Sequence, residues 1–125
     1  MSFSTKARPI AAWILTGLLA ALFIGSASGK LMKAAPVVEM FEKFGLGNEI
    51  LLIGCGELAS ALLFVIPRTH SLGVLLLSAY MGGAIVTHMQ HGESYVVQSV
   101  ILALIWAAGF LRRPALLGSF FPKPA

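Results

Sequence analysis

ILLIGCGELASALLFVI, residues 50–66, is the stretch on which the fold turns. It carries a single charge, Glu57, and its leucines, isoleucines and small residues leave no polar face on any side of a helix. A helix that is apolar all round belongs in a large core or in a membrane. At about 1.5 Å of rise per residue this stretch covers roughly 25 Å, close to the hydrocarbon thickness of about 30 Å. Stretches 10–29, 72–89 and 95–111 have the same character and are separated by charged or turn-forming residues. Irregular backbone facing lipid would leave polar groups unsatisfied, so all four stretches read as helices. Strands of about 10 residues with alternating polarity, which a membrane barrel would need, do not occur. The expected fold is all-α: a four-transmembrane-helix bundle with a short amphipathic interfacial segment between helices 1 and 2, forming one domain over residues 1–125.

Composition supports this reading. A chain of 125 residues with 58% hydrophobic and 11% charged residues has more apolar surface than a soluble domain of that size can bury, and lipid covers the excess. The net charge of +4 does not point to nucleic acid, because the basic residues sit at span ends and form no stripe with interleaved aromatics. They read as a topology signal instead. Lys6, Arg8, Arg68, Arg112, Arg113 and Lys123 share one side, against Lys30, Lys33 and Lys43 on the other, which predicts a multi-pass protein with both termini cytoplasmic. Lys6 and Arg8, the apolar run and Ser26-Ala27-Ser28 imitate a secretory signal, but the run is long enough to span and three more follow, so a retained first helix is expected. Cys55 is the sole cysteine, which excludes an intrachain disulfide, and as a small side chain it is expected to be buried. His70, in the turn over residues 67–71, is expected to be solvated.

The connection over residues 30–49 has its own character. Pro36 suits a helix start, and Val37, Met40, Phe41 and Phe44 then share one face while Glu39, Glu42 and Lys43 fall away from it. Such a segment lies along the outer membrane surface or caps the bundle, with its phenylalanines expected in the acyl boundary.

Glu57 is the most informative residue. It is the eighth of its span, roughly 11 Å from the outer end and near the bilayer middle. A charged carboxylate there costs at least about 2.5 kcal/mol, so it either faces the bundle interior and finds a partner or stays protonated. Gly54, Ser60 and Ala61, three or four places away, either let another helix approach closely or leave a cavity. Lys30 and His88 stand at the outer ends of helices 1 and 3 and are the candidate partners; each also has a plain reading, as a snorkelling lysine and an interfacial histidine. Tyr80, two turns before His88, is placed to line the same cavity or to pack in the core. His88, His91 and Glu93 form an H-x-x-H-x-E string, but that spacing without a fourth ligand does not make a metal site, and no metal is assigned. Opposed haem ligands are lacking, and there is no phosphate loop, no nucleophile elbow and no aspartate. The candidate polar site is therefore Glu57, His88 and Lys30, with Tyr80, His91 and Glu93 as weaker candidates. A buried carboxyl beside a histidine suits quinone chemistry, isomerisation or ion coupling equally.

Four strings together carry a resemblance: G-K-L at 29–31, G-x-x-E-L at 54–58, the Leu-to-Pro run at 63–67, and AYMGGAIVTHMQHGE at 79–93. The chain resembles the DoxX-like family of small membrane proteins over most of its length. The resemblance implies a four-helix bundle of the bacterial cytoplasmic membrane, related to small subunits named for a thiosulfate:quinone oxidoreductase, and it carries Lys30, Glu57 and His88 over as site residues. Three functions are consistent with these residues. The first is a membrane accessory or ligand-binding subunit, linked to quinone or redox chemistry, whose cofactor is a quinone or other apolar ligand and whose partner is a membrane redox complex or a second copy. The second is a small membrane enzyme or proton-coupled transporter using Glu57 and His88. The third is a purely structural membrane protein with Glu57 as interhelical glue.

Overall fold

A computed structural model describes residues 7–118 and 120. Lys6, Lys123 and Phe121 lie outside the described residues. Five α-helices follow one another: α1 (Ala7–Leu31), α2 (Ala35–Lys43), α3 (Ile50–Val65), α4 (His70–Gln90) and α5 (Val96–Arg112). No strand occurs among the described residues. The four spans expected from sequence correspond to α1, α3, α4 and α5. Three of them, taken with the short turns before α3 and α4, are long and apolar enough to cross a membrane; α5, at 17 residues, is apolar but shorter. Around the bundle α1 packs on α3 and α5, and α4 packs on the same two helices.

The outward surface shows why lipid is the solvent. Ile14 and Leu18 on α1, Leu52 on α3, Leu75 on α4, and Val97 and Val100 on α5 are all exposed, so every long helix turns apolar side chains away from the bundle. Inside, Leu19, Phe23, Phe64, Leu77 and Ile105 form the core with Ala61, Val74, Met81 and Ala108. Cys55 faces outward with the lipid-exposed set rather than inward. On a helix apolar on every side, hydrophobicity does not tell a small outward residue from a small inward one.

Helix ends are closed by local geometry. At the end of α4, Gly92 has φ +67, the Glu93 amide donates to the His88 carbonyl at 2.9 Å and the Gly92 amide to that of Met89 at 3.2 Å. This is the paired closure that a left-handed residue permits. Gly45 (φ +74) closes α2 in the same way, with the Leu46 amide donating to the Phe41 carbonyl at 2.8 Å. Pro36 stands in the first turn of α2, where its missing amide hydrogen is harmless.

The turn between α3 and α4 is tighter than expected, and His70 is buried rather than solvated, with 3% of its surface exposed. Residues 67–69 form one 3-10 turn, so α4 begins at His70, two residues before the predicted span. The reversal swings the imidazole back over α3, where its Nδ1 donates to the Phe64 carbonyl at 2.9 Å. Arg112 also caps this end: its guanidinium donates to the Phe64 carbonyl and, at 2.8 Å, to that of Val65, and it lies 4.3 Å from the Trp13 ring centre. The last carbonyls of α3, which lack helical partners, are thereby satisfied.

Gly73 fixes how closely α3 and α4 cross. A Cβ there would fall inside contact with the backbone nitrogen and Cα of Phe64, neither of which a rotamer change can move. Gly82 on the same helix meets nothing within 4 Å. Gly73→Ala is expected to lose at least about 1–3 kcal/mol, the range of overpacked cores. Gly82→Ala should be neutral or slightly stabilising. Thermal unfolding of both variants in micelles checks this, and equal midpoints would mean that the helices do not cross at Gly73.

Candidate functional site

The site begins with the C-terminal turn of α1. Lys30 projects from it onto the middle of α3, where its Nζ lies 2.8 Å from Glu57 Oε1. The pair is buried on both sides, with 6% and 1% of the side chains exposed. Gly54, one turn before Glu57, makes the approach possible: a Cβ there would stand 3.0 Å from Lys30 Cβ and 3.2 Å from Leu31 Cδ2. Of the two roles that sequence allowed the small residues beside Glu57, close helix approach is therefore the one Gly54 plays. Lys30 is turned into the bundle and does not snorkel.

Two charges at this depth need more than each other. Ser26, one turn before Lys30, accepts from Nζ at 2.6 Å and donates to Glu57 Oε1 at 3.3 Å, so its hydroxyl bridges the pair. The Ser26 carbonyl also accepts from Nζ at 3.4 Å. The ammonium stands 5.7 Å from the Phe41 ring centre and 5.8 Å from that of Tyr80, both within the range where an aromatic face attracts a cation. The Tyr80 side chain lines the same space as Glu57 and Ser26, and its ring meets Phe23 edge-on at 6.2 Å.

Beside the pair a cavity of about 460 Å³ opens between the helices. Lys30, Glu57, Ser26 and Tyr80 form one wall, His88 and Gln98 another, and Leu22, Phe23, Ile53, Met81 and Ile101 make most of the remainder apolar. Its size falls within the range of small-molecule sites, about 300–1,000 Å³. Helix α2 is its roof. Met40, Phe41 and Phe44 line the cavity, and Phe41 is 5% exposed. The α2 face predicted from sequence is real, but its phenylalanines turn onto the bundle and not into the acyl boundary, because Lys30 and the cavity beneath offer aromatic and apolar partners.

His88 lines the same cavity and makes no hydrogen bond to Glu57. Its Nδ1 donates to the Ala84 carbonyl at 2.7 Å, and in a neutral ring this leaves Nε2 to accept from the Gln98 amide at 3.3 Å. His91 lies on the roof side, its ring 4.9 Å from Phe44, and its Nδ1 donates to the Thr87 carbonyl at 2.8 Å. Glu93 is bonded to Lys43 of α2 at 2.9 Å, so it ties the roof to the α4–α5 turn. Within the H-x-x-H-x-E string, Glu93 Oε2 stands 3.8 Å from His88 Nε2, whereas His91 turns to Phe44. No group of three or more His, Cys, Asp or Glu side chains gathers as a metal set among the described residues. Ser26 and Gln98 belong to the site and were not singled out in the sequence. Ser26 sits one turn before the buried lysine, and Gln98 is an amide in an otherwise apolar helix; either pattern signals a polar group turned inward.

The profile of the DoxX-like family matches residues 14–109, which hold α1 through most of α5. The chain belongs to the DoxX-like family. No curated protein and no solved structure matches it. Family and apolar helices together make this DoxX-like chain a membrane protein, and the match includes Lys30, Glu57, Tyr80 and His88.

Removing one member of a buried pair strands the other charge, which typically costs about 3–5 kcal/mol. Lys30→Met is expected to lose stability in that range, and Lys30→Met combined with Glu57→Leu to lose less than the single variant. Unfolding of wild type, the two single variants and the double in micelles measures the coupling, and losses that simply add would show that the pair is not coupled. The roof clasp has a different pH signature. The Lys43 ammonium, through its hydrogen bond and its charge, holds the exposed Glu93 carboxyl below the usual carboxylate range. Such a group stabilises the fold above its unfolded pKa, and the contribution disappears as pH falls through the lower folded value. The stability difference between wild type and Glu93→Gln should therefore be present at neutral pH and vanish in acid; a difference that persists unchanged in acid would contradict the clasp.

Proposed function

We propose that this DoxX-like chain is a membrane-embedded accessory or ligand-binding subunit that holds a small apolar molecule with an oxygen-bearing head, of the quinone class, beside Lys30 and Glu57. The observation that carries the reading is that the ion pair forms the wall of a cavity. Interhelical glue needs no void, since bundle interiors are close-packed and spaces much larger than a water are few. Here a charged pair, a tyrosine hydroxyl and a histidine–glutamine pair converge on one apolar space.

The residues fit such a head group chemically. The Tyr80 hydroxyl is a donor for a carbonyl oxygen, Glu57 Oε2, which neither Lys30 nor Ser26 uses, is an acceptor for a hydroxyl, and Phe23, Ile53, Met81 and Ile101 supply the surface that a ring and an apolar tail require. When bound, a quinone supplies reversible two-electron, two-proton chemistry. The protein's part is to bind the head, orient it through Tyr80 and the Glu57 carboxylate that Lys30 holds in place, and exclude water beneath the α2 roof. As an accessory subunit it would hand the molecule to a membrane redox complex. In the same reading the protein lies in the bacterial cytoplasmic membrane with both termini cytoplasmic, which the distribution of arginines supports, and the cavity occupies the outer half of the bundle.

Native mass spectrometry of gently solubilised protein, with and without an added short-chain quinone, tests this reading. Wild type should carry the quinone, and Glu57→Gln should weaken it roughly tenfold or more, the worth of one hydrogen bond to a charged group. An empty wild type that does not take up the quinone would turn the reading toward a structural ion pair.

A further inference from the structure

The opposite end of the bundle has a surface that the cavity does not use. The first turn of α1, the turn before α4 and the last turn of α5 meet there, and they carry Arg8, Arg68, Arg112 and Arg113. No acidic side chain belongs to this end. The chain has five carboxylate side chains, Glu39, Glu42, Glu49, Glu57 and Glu93, and all lie on the cavity half or in the connections above it. Backbone dipoles add to the imbalance. The N-termini of α1 and α4 point their partial positive charge to this end, and neither helix has an acidic residue in its first turn. Arg8 thus sits where a cation is unfavourable, and Arg68 stands just ahead of a second such terminus.

The arginines divide by what they touch. Arg112 caps the carbonyls of Phe64 and Val65 and stacks on Trp13, so its guanidinium is engaged within the fold. Arg113 leaves the helix with an extended backbone, and among the described residues its Nη1 reaches the Ser71 hydroxyl, at 3.5 Å. Arg68 is exposed on the neighbouring turn, three residues before Ser71. The turn before α4 thus carries the exposed Arg68 and receives Arg113 at Ser71, with no anionic side chain at this end to meet either. Directly below them Ile66 and Leu72 are exposed at 46% and 49%, offering apolar surface at the depth where a headgroup gives way to acyl chains.

We propose that this end binds an anionic phospholipid, with its phosphate between Arg68 and Arg113 and an acyl chain against Ile66 and Leu72. Guanidinium suits phosphate because its fork of donors matches two phosphate oxygens at once. Basic clusters immediately beside membrane helices recognise anionic headgroups on these grounds. The apolar surface next to the arginines selects a lipid over a free anion. The site is independent of the cavity and stands whether or not a quinone binds.

The test uses the full-length protein in detergent micelles, titrated with phosphatidylglycerol and with phosphatidylcholine and read by native mass spectrometry. Wild type should retain phosphatidylglycerol under a wash that strips phosphatidylcholine. The double variant Arg68→Gln with Arg113→Gln should bind phosphatidylglycerol about thirty-fold more weakly. Its thermal unfolding in phosphatidylcholine should match wild type, because neither side chain packs in the core. Lys33→Glu, which at the other end lowers the net charge by the same two units, should leave lipid retention unchanged. Equal retention of the two lipids, or undiminished retention in the arginine variant, overturns the proposal. An equal loss in the lysine variant would replace the site by a diffuse effect of net charge, and displacement by millimolar inorganic phosphate would assign the arginines to a soluble anion; either result also overturns it.

Discussion

Lys30 and Glu57 constrain one another because each is untenable alone at this depth. The ammonium and the carboxylate meet at 2.8 Å, and the meeting point is set by α3, since Glu57 lies in the middle of that helix and cannot reach its end. The last turn of α1 must come down onto α3, which requires a glycine at position 54 where a methyl group would crowd Lys30 and Leu31. It also leaves the pair uncovered above, and α2 supplies the cover with Phe41 over the ammonium. The short helix between the first two spans is thus a consequence of the buried charge, placed where its aromatic face has something to shelter.

The two halves of the bundle solve different problems. Toward the arginine end, Phe64, Leu77 and Ile105 are fully buried, Gly73 brings α4 so close to α3 that an added methyl would collide with backbone, and the space at Gly109 is filled by the side chains of Leu116 and Val74. Toward the other end, the wall of α4 is made of Gly83 and Ala84, and the space they leave is shared by Tyr80, His88 and Gln98. Close packing at one end holds the helices rigidly enough that spacing can be left at the other. The separation follows from what α4 turns inward: Gly73, Val74 and Leu77 pack closely in its first half, whereas Gly83 and Ala84 face the cavity in its second.

The bundle itself was legible because hydrophobicity is a property of long stretches and tolerates local error. Glu57 and Lys30 were legible as well, since an ionisable residue at membrane depth has few places to go. The failures fall where a decision depends on direction around an apolar helix. Cys55 faces outward and the roof phenylalanines inward, and neither is written in a local pattern when every side of the helix is apolar. His70 was misplaced because a 3-10 turn carries no strong sequence mark, and a shift of two residues decides whether an imidazole meets water or the end of α3. His88 was expected to converge on Glu57, but its Nε2 lies 3.3 Å from the amide of Gln98, a residue from α5 that no spacing within α4 reveals.

Charge distribution links the two halves. Every carboxylate side chain lies with the cavity or its roof, and the end that holds none carries Arg8, Arg68, Arg112 and Arg113. Within the bundle one arginine closes the fold, through Phe64 and Val65, and on the cavity side one glutamate holds the buried lysine while another clasps the roof through Lys43. A molecule approaching from the carboxylate side therefore meets a helix held by one exposed ion pair and by aromatic contacts of Phe44 with His88 and His91. Exposed pairs of this kind contribute little to stability and are screened by salt. The roof therefore rests less on that pair than on Phe41, which is 5% exposed and stands over the Lys30 ammonium, so the helix that covers the buried charge is held in place mainly by the charge it covers.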